Sequence, residues 1–183
     1  MRVISGKHKG FRFNPPKNLP YRPTTDIAKS GLFNIIHNNW YFENKVVLDL
    51  FSGTGSITYE FASRGTTDIT SVDLHPGCVK YLKDNIKKLG IEGVRAYRDD
   101  AFKFIAKYGR KADIIFAGPP YPLEKQIPSL PELVFEHEIL KEEGWLIVET
   151  NHLVDLENHP KFSFKRNYGT TVFNFFEWNP KQK

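Results

Sequence analysis

The chain has 183 residues, 40% of them hydrophobic and 14% aromatic, which suits one folded domain with a sizeable core and a short appended segment. Its net charge of +5 is unevenly placed: residues 1–22 hold Arg2, Lys7, Lys9, Arg12, Lys17 and Arg22 and no acid, while the other 20 basic residues face 21 acidic ones. No apolar run approaches the ~20 residues of a membrane span, and Cys78 is the only cysteine, which excludes an internal disulfide.

The first residues show no signal-peptide core, and the six histidines lack metal-ligand spacing. A cytoplasmic, monomeric protein with no bound metal and no membrane partner is expected. The basic segment alternates Val3, Ile4, Phe11 and Phe13 with its charges and places Gly6 and Gly10 around a turn, which predicts a β-hairpin. Clustered positive charge favours a polyanionic partner. Residues 1–23 are therefore expected to be a hairpin extension that touches RNA through Arg2, Lys7, Lys9, Arg12 and Arg22, with an idle solvated tail as the alternative. Pro15, Pro16, Pro20 and Pro23 keep residues 14 to 23 extended. Thr24, Thr25 and Asp26 then offer caps for a helix that carries Ala28, Leu32, Ile35 and Ile36 on one face and stops near Asn38.

The stretch from Val46 to Gly65, VVLDLFSGTGSITYEFASRG, organises the rest. Val46, Val47, Leu48 and Leu50 form an apolar run of strand length, suited to a strand buried on both faces. Gly53 and Gly55 permit a sharp turn and close approach of a ligand, Ser56 is a candidate cap, and Ile57 and Phe61 share a helical face that Gly65 ends. A P-loop would need Lys after Gly55 and a dinucleotide fingerprint a glycine at position 58, where this chain has Ser56 and Thr58. Asp49, at the strand's carboxyl end, repels phosphate and attracts a cation, which suits S-adenosylmethionine with its ammonium and sulfonium. A glycine turn that only packs helix on sheet is the plainer reading.

Ile69 to Asp73 predicts the next strand, and Asp73 stands near the ~20-residue offset at which an acid meets ribose hydroxyls. A helix from Pro76 to Gly90 buries Val79, Leu82, Ile86 and Leu89, with Cys78 packed in it. After a strand at Val94 to Tyr97, Asp99, Asp100 and Ala101 open a short helix; the acid there is open to two roles, adenine acceptor or ordinary N-cap. Asp113 to Ala117 is a fourth strand running into Gly118, Pro119, Pro120 and Tyr121, a stiff turn with outward carbonyls beside an aromatic face, suited to a flat base with an exocyclic amine. A helix over 127 to 140, a strand from Trp145 to Glu149, and a hairpin of Phe162 to Tyr168 with Val172 to Trp178 complete the chain. The expected fold is α/β, a Rossmann-like seven-stranded, mostly parallel sheet with a C-terminal antiparallel hairpin and an N-terminal β-hairpin extension.

These motifs together resemble the class I S-adenosylmethionine-dependent methyltransferases, and more narrowly the RsmD-type enzymes that methylate guanine N2 in 16S ribosomal RNA of the small subunit. The resemblance runs through RVISGKHKG, RPTTD, LDLFSGTGS, Asp73, Asp100 with Ala101, the PPY turn and YGTT. It implies a methyltransferase domain over 24–183, with Thr24 and Thr25 closing on the cofactor's methionine end and Asp49, Phe51, Gly53 and Gly55 forming the pocket floor. It further implies ribose binding by Asp73 beside Leu74, adenine binding by Asp100 and Ala101, and a catalytic turn of Gly118, Pro119, Pro120 and Tyr121. In that turn Tyr121 would stack on the flipped guanine and the Pro119 carbonyl would accept from its amine. The implied partner is small-subunit rRNA or the 30S particle.

Two residues depart from the family pattern: Ser30, which stands where relatives carry an acidic residue, and, more seriously, Gly118. The turn there begins with Asp or Asn, and this chain has Gly118, which lacks the side-chain acceptor. Loss of one preorganised group of this kind costs ~100-fold or more in rate. Two other readings therefore stand beside the enzyme: a noncatalytic or weakly active RNA-binding, ribosome-assembly protein that keeps the cofactor fold, and a DNA adenine N6-methyltransferase, for whose target-recognition domain the chain leaves no room.

Overall fold

The computed structural model describes residues 1–20 and 24–180. In chain order the elements are α1 (Asp26–Asn39), β1 (Val46–Leu50), α2 (Ser56–Ser63), β2 (Asp68–Asp73), α3 (Pro76–Leu89), β3 (Val94–Arg98), α4 (Ala101–Lys107), β4 (Ala112–Ala117), a 3-10 turn (Tyr121–Gln126), α5 (Ser129–Glu136), β5 (Leu140–Thr150), β6 (Phe162–Tyr168) and β7 (Thr171–Phe176). The sheet runs β3-β2-β1-β4-β5-β7-β6. Strands β1 to β5 are mutually parallel and β7 enters antiparallel between β5 and β6. The expected α/β sheet with its closing hairpin is the one observed.

Alternation along the central strands divides the core in two. Leu48 and Leu50 face one way with Ile115, Ala117, Leu146 and Val148, covered by α4 and α5. Val47 faces the other way with Ile114, Phe116 and Ile147, covered by α1 and α2. A pleat of period two thus places Asp49 on the α2 side of β1 and Glu149 on the same side of β5. Trp145, Phe164, Phe173 and Phe175 extend the α1 side beneath the closing hairpin.

Three local expectations change. The helix read over 127 to 140 ends at Glu136, since Glu138 takes a left-handed φ of 50° and Leu140 already pairs with Ala112 of β4. Strand β5 consequently begins at Leu140, and a register irregularity precedes its regular pairing from Trp145. At the start of α2 the capping position belongs to Gly55, at φ 93°, rather than to Ser56, whose hydroxyl instead accepts from Lys29 Nζ at 3.2 Å.

The first fifteen residues double back as a hairpin, but with a single antiparallel bridge, Arg2 to Arg12, and turns between. Val3 and Phe13 are buried against Tyr59, Val79, Leu82 and Ala96, with the Phe13 and Tyr59 rings stacked 4.0 Å apart. The backbone amides of Ile4 and Ser5 donate to the Glu60 carboxylate at 2.8 and 3.1 Å, and His8 N donates to Ser63 Oγ at 2.9 Å. This segment is seated on α2 and α3 by its apolar side and turns its charges outward.

Candidate active site

Chain order makes the site. From β1 the chain winds through β2 to β3 on one side, then returns to place β4 on the other side of β1, so the loops after β1 and β4 part and open a crevice at the strands' carboxyl ends. A cavity of about 740 Å³ occupies that crevice. Thr24, Asp49, Phe51, Gly53, Asp73, Leu74, Asp100, Ala101, Gly118, Pro119, Pro120 and Tyr121 all line it. Thr25 and Gly55 are not among its lining residues; Thr25 Oγ1 caps α1 by accepting from Ala28 N, and Gly55 packs so closely on Leu82 and Tyr59 that a Cβ there would stand 2.5 Å from Leu82.

Charge selects the class of ligand. Five carboxylates, those of Asp49, Asp73, Asp100, Glu124 and Glu149, line the cavity, and among the described residues no Lys or Arg does. Such a lining repels phosphate and favours a cation. Asp49 is the most deeply placed, 1% exposed; its Oδ2 accepts from Thr58 Oγ1 at 2.5 Å, and its Oδ1 has no hydrogen-bond partner among the described residues. Burial pushes its pKa up to about 7, with Asp73 and Glu149 adding to the rise and the bond from Thr58 opposing it. A buried acceptor left without a donor is costly and uncommon.

Asp73 ends β2 with both oxygens oriented: Oδ2 accepts from Gly53 N and Oδ1 from His75 N, each at 2.8 Å. Gly53 makes this possible with a left-handed φ of 53° in the turn after β1. Two amides fix the carboxylate while leaving lone pairs for a pair of hydroxyls, since a carboxylate accepts about four hydrogen bonds. Of the two roles open to Asp100 the cap is the one observed: Oδ1 accepts from Lys103 N at 3.1 Å at the start of α4, and the residue also lines the cavity beside Ala101 and Phe102. An acid-lined cavity without Lys or Arg among the described residues fits S-adenosylmethionine, which carries an ammonium and a sulfonium and no phosphate.

At the far wall Gly118 leaves β4 with its N–H donating to Leu50 O at 3.3 Å, and Pro119 and Pro120 carry the chain to Tyr121, whose ring is half exposed at the rim. Sequence reasoning passed over Glu149. Register pairs Ala117 with Val148, so Gly118 and Glu149 are the next positions on adjacent strands. A Cβ built on Gly118 would lie 3.8 Å from Glu149 Oε2. Thr24 Oγ1 donates to that same oxygen at 2.7 Å, tying the entry of α1 to the wall of the cavity. An acid that ends an otherwise apolar strand beside the Pro-Pro turn was the available signal.

Arg2, Lys7, Lys9 and Arg12 are exposed, Arg2 with its Nε donating to Asp26 at 2.7 Å; Arg22 lies outside the described residues. Among the described residues no group of His, Cys, Asp and Glu could hold a metal ion, and no helix is long and apolar enough to cross a membrane.

Residues 1–177 match the family described as conserved hypothetical protein 95. The Bacillus subtilis protein YlbH, named as a candidate rRNA methyltransferase, is 35% identical over 160 residues, 85% of each chain. Ribosomal RNA small subunit methyltransferase D of Escherichia coli K12 is 28% identical over 157 residues, 86% of this chain and 75% of that one. A solved structure of a hypothetical protein from Thermus thermophilus superposes with a TM-score of 0.84 at 23% identity, covering 97% of this chain and 99% of that one, which shows the same fold.

Proposed function

Because the chain belongs to the conserved hypothetical protein 95 family of RsmD-type, S-adenosylmethionine-dependent rRNA methyltransferases, we propose that it methylates the exocyclic N2 of a guanine in small-subunit ribosomal RNA. The observation that carries this reading is the meeting of the acid-lined crevice with the Pro119–Tyr121 turn in one cavity. One half suits the cofactor and the other a flat base.

When bound, the cofactor supplies an electrophilic methyl group on sulfur, so the chain's own work is alignment, charge and exclusion of water. Asp73, held by two backbone amides, takes the ribose hydroxyls. Asp49, buried and short of a donor, gives up its proton to receive positive charge in the crevice. Tyr121 stacks on the extruded base, and the Pro119 carbonyl accepts one hydrogen of its amine, which points the nitrogen lone pair toward the cofactor side. The outward charges of the first segment hold the phosphate backbone near the rim.

Tritium transfer from labelled S-adenosylmethionine to free small-subunit rRNA and to unmethylated small subunits tests the reading. The expected product is N2-methylguanosine after digestion to nucleosides. Label in N6-methyladenine would replace guanine by adenine as the target. Tight RNA binding with no transfer to either substrate would favour the noncatalytic protein that Gly118 suggests.

A further inference from the structure

We propose that Glu149 supplies the carboxylate acceptor for the substrate amine that Gly118 lacks, its role resting on the methyl-transfer reading above. Position 118 is where the Asp or Asn of related turns would direct its oxygen at the amine. Here the nearest side-chain oxygen comes from the neighbouring strand: Glu149 Oε2 stands 3.8 Å from the site of the missing Cβ. That contact places a carboxylate beside position 118, carried by the adjacent strand rather than by the turn itself.

Three features prepare Glu149 for this role. It lies next in register after the Ala117–Val148 pair, on the rigid sheet and not on a loop, so its backbone is held relative to Pro119 by the β4–β5 ladder. Thr24 Oγ1 donates to Oε2, which holds the carboxylate's orientation from the α1 side. Among the described residues, the atoms nearest a Cβ at 118 are those of the Phe116 ring, at 3.2 Å, and Glu149 Oε2, at 3.8 Å, so Glu149 contributes the oxygen beside the turn.

In the transfer, the amine's lone pair forms the new N–C bond as the methyl's bond to sulfur breaks with both electrons left on sulfur. Positive charge develops on nitrogen, opposite the Glu149 carboxylate. The surplus N–H proton then passes to Glu149 and on to solvent, leaving the methylated amine neutral. No further reactant is required.

The test compares four proteins: unaltered, Glu149→Gln, Gly118→Asp, and the double variant Gly118→Asp/Glu149→Gln. Each is assayed for single-turnover transfer to unmethylated small subunits and for affinity toward S-adenosylhomocysteine by calorimetry. Glu149→Gln is expected to lower the transfer rate ~100-fold, well beyond any loss of product affinity from removing one of the five cavity carboxylates. Restoring a carboxylate at 118 in the Gln background is expected to recover at least about tenfold, a rescue that a merely structural role for Glu149 would not give. Equal rates for the unaltered and Glu149→Gln proteins overturn the inference alone, as does a rate loss that tracks lost product affinity and is not rescued at 118. No transfer by the unaltered protein overturns it together with the reading on which it rests.

Discussion

Lys29 and Glu60 face each other across the seam between α1 and α2, Nζ 3.9 Å from Oε2, with side chains 1% and 0% exposed. Neither charge is left to the other alone. Lys29 Nζ also donates to Arg2 O at 2.5 Å and Ser56 Oγ at 3.2 Å, and the Glu60 carboxylate takes Ile4 N, Ser5 N and Arg64 Nε. Burial lowers the Lys29 pKa, with Glu60 opposing the shift. Removing either partner leaves a buried charge, which costs about 3–5 kcal/mol. Glu60→Ala is expected to cost at least about 3 kcal/mol in urea unfolding at pH 7 and to release the first residues to protease. Lys29→Met should cost less, since Arg64 still neutralises Glu60.

Asp49 should couple cofactor binding to protons. Its pKa is raised to about 7, so the folded protein holds a proton that the unfolded chain, with an ordinary aspartate, has released by pH 5. The contribution to stability is full below about pH 4 and is lost as pH rises toward 7. A cationic ligand favours the ionised form, so its affinity should increase with pH up to about 7 and then level. Calorimetry in buffers of different ionisation enthalpy should show proton release on binding at pH 6 and almost none at pH 8.5. Asp49→Asn should remove the proton linkage, weaken binding and raise thermal stability at pH 8.

Asp73→Ala should lower S-adenosylmethionine affinity by about 100-fold, because it deletes the acceptor for the ribose and also frees Gly53 N and His75 N, the two amides that shape the turn. Asp73→Asn should do nearly as badly, since its amide nitrogen would meet one of those N–H groups. An affinity unchanged by either substitution would place the ribose elsewhere.

Reversal of Lys7, Lys9 and Arg12 to Glu should weaken RNA binding and reduce the slope of log affinity against log salt by about 3. All three side chains are exposed, while the segment is anchored by Val3, Phe13 and backbone bonds to Glu60, so the melting temperature should hardly move. A large loss of stability with unchanged RNA affinity would make this segment a structural cover.

The parallel core was readable because its strands are buried on both faces and announce themselves as short apolar runs: Val46–Leu50 and Ala112–Ala117 needed no tertiary knowledge. Asp49 and Asp73 were readable because strand, turn and offset are local. Glu149 was not. Its neighbour Gly118 is 31 positions away, and only the β4–β5 register, interrupted by an irregularity after Ala112, brings them together. The end of α5 was obscured for a related reason: Ile139 and Leu140 continue its apolar pattern, but they belong to the start of a strand. In the first segment the alternation of Val3 and Phe13 was plain, whereas the surface that covers them comes from Tyr59, Val79 and Leu82.

The bonds from Ile4 and Ser5 to Glu60 span 56 and 55 positions of sequence. A polypeptide made from its amino end therefore finishes these residues long before it makes the helix that receives them. This segment stays positively charged and with Val3 and Phe13 uncovered until α2 and α3 have been made.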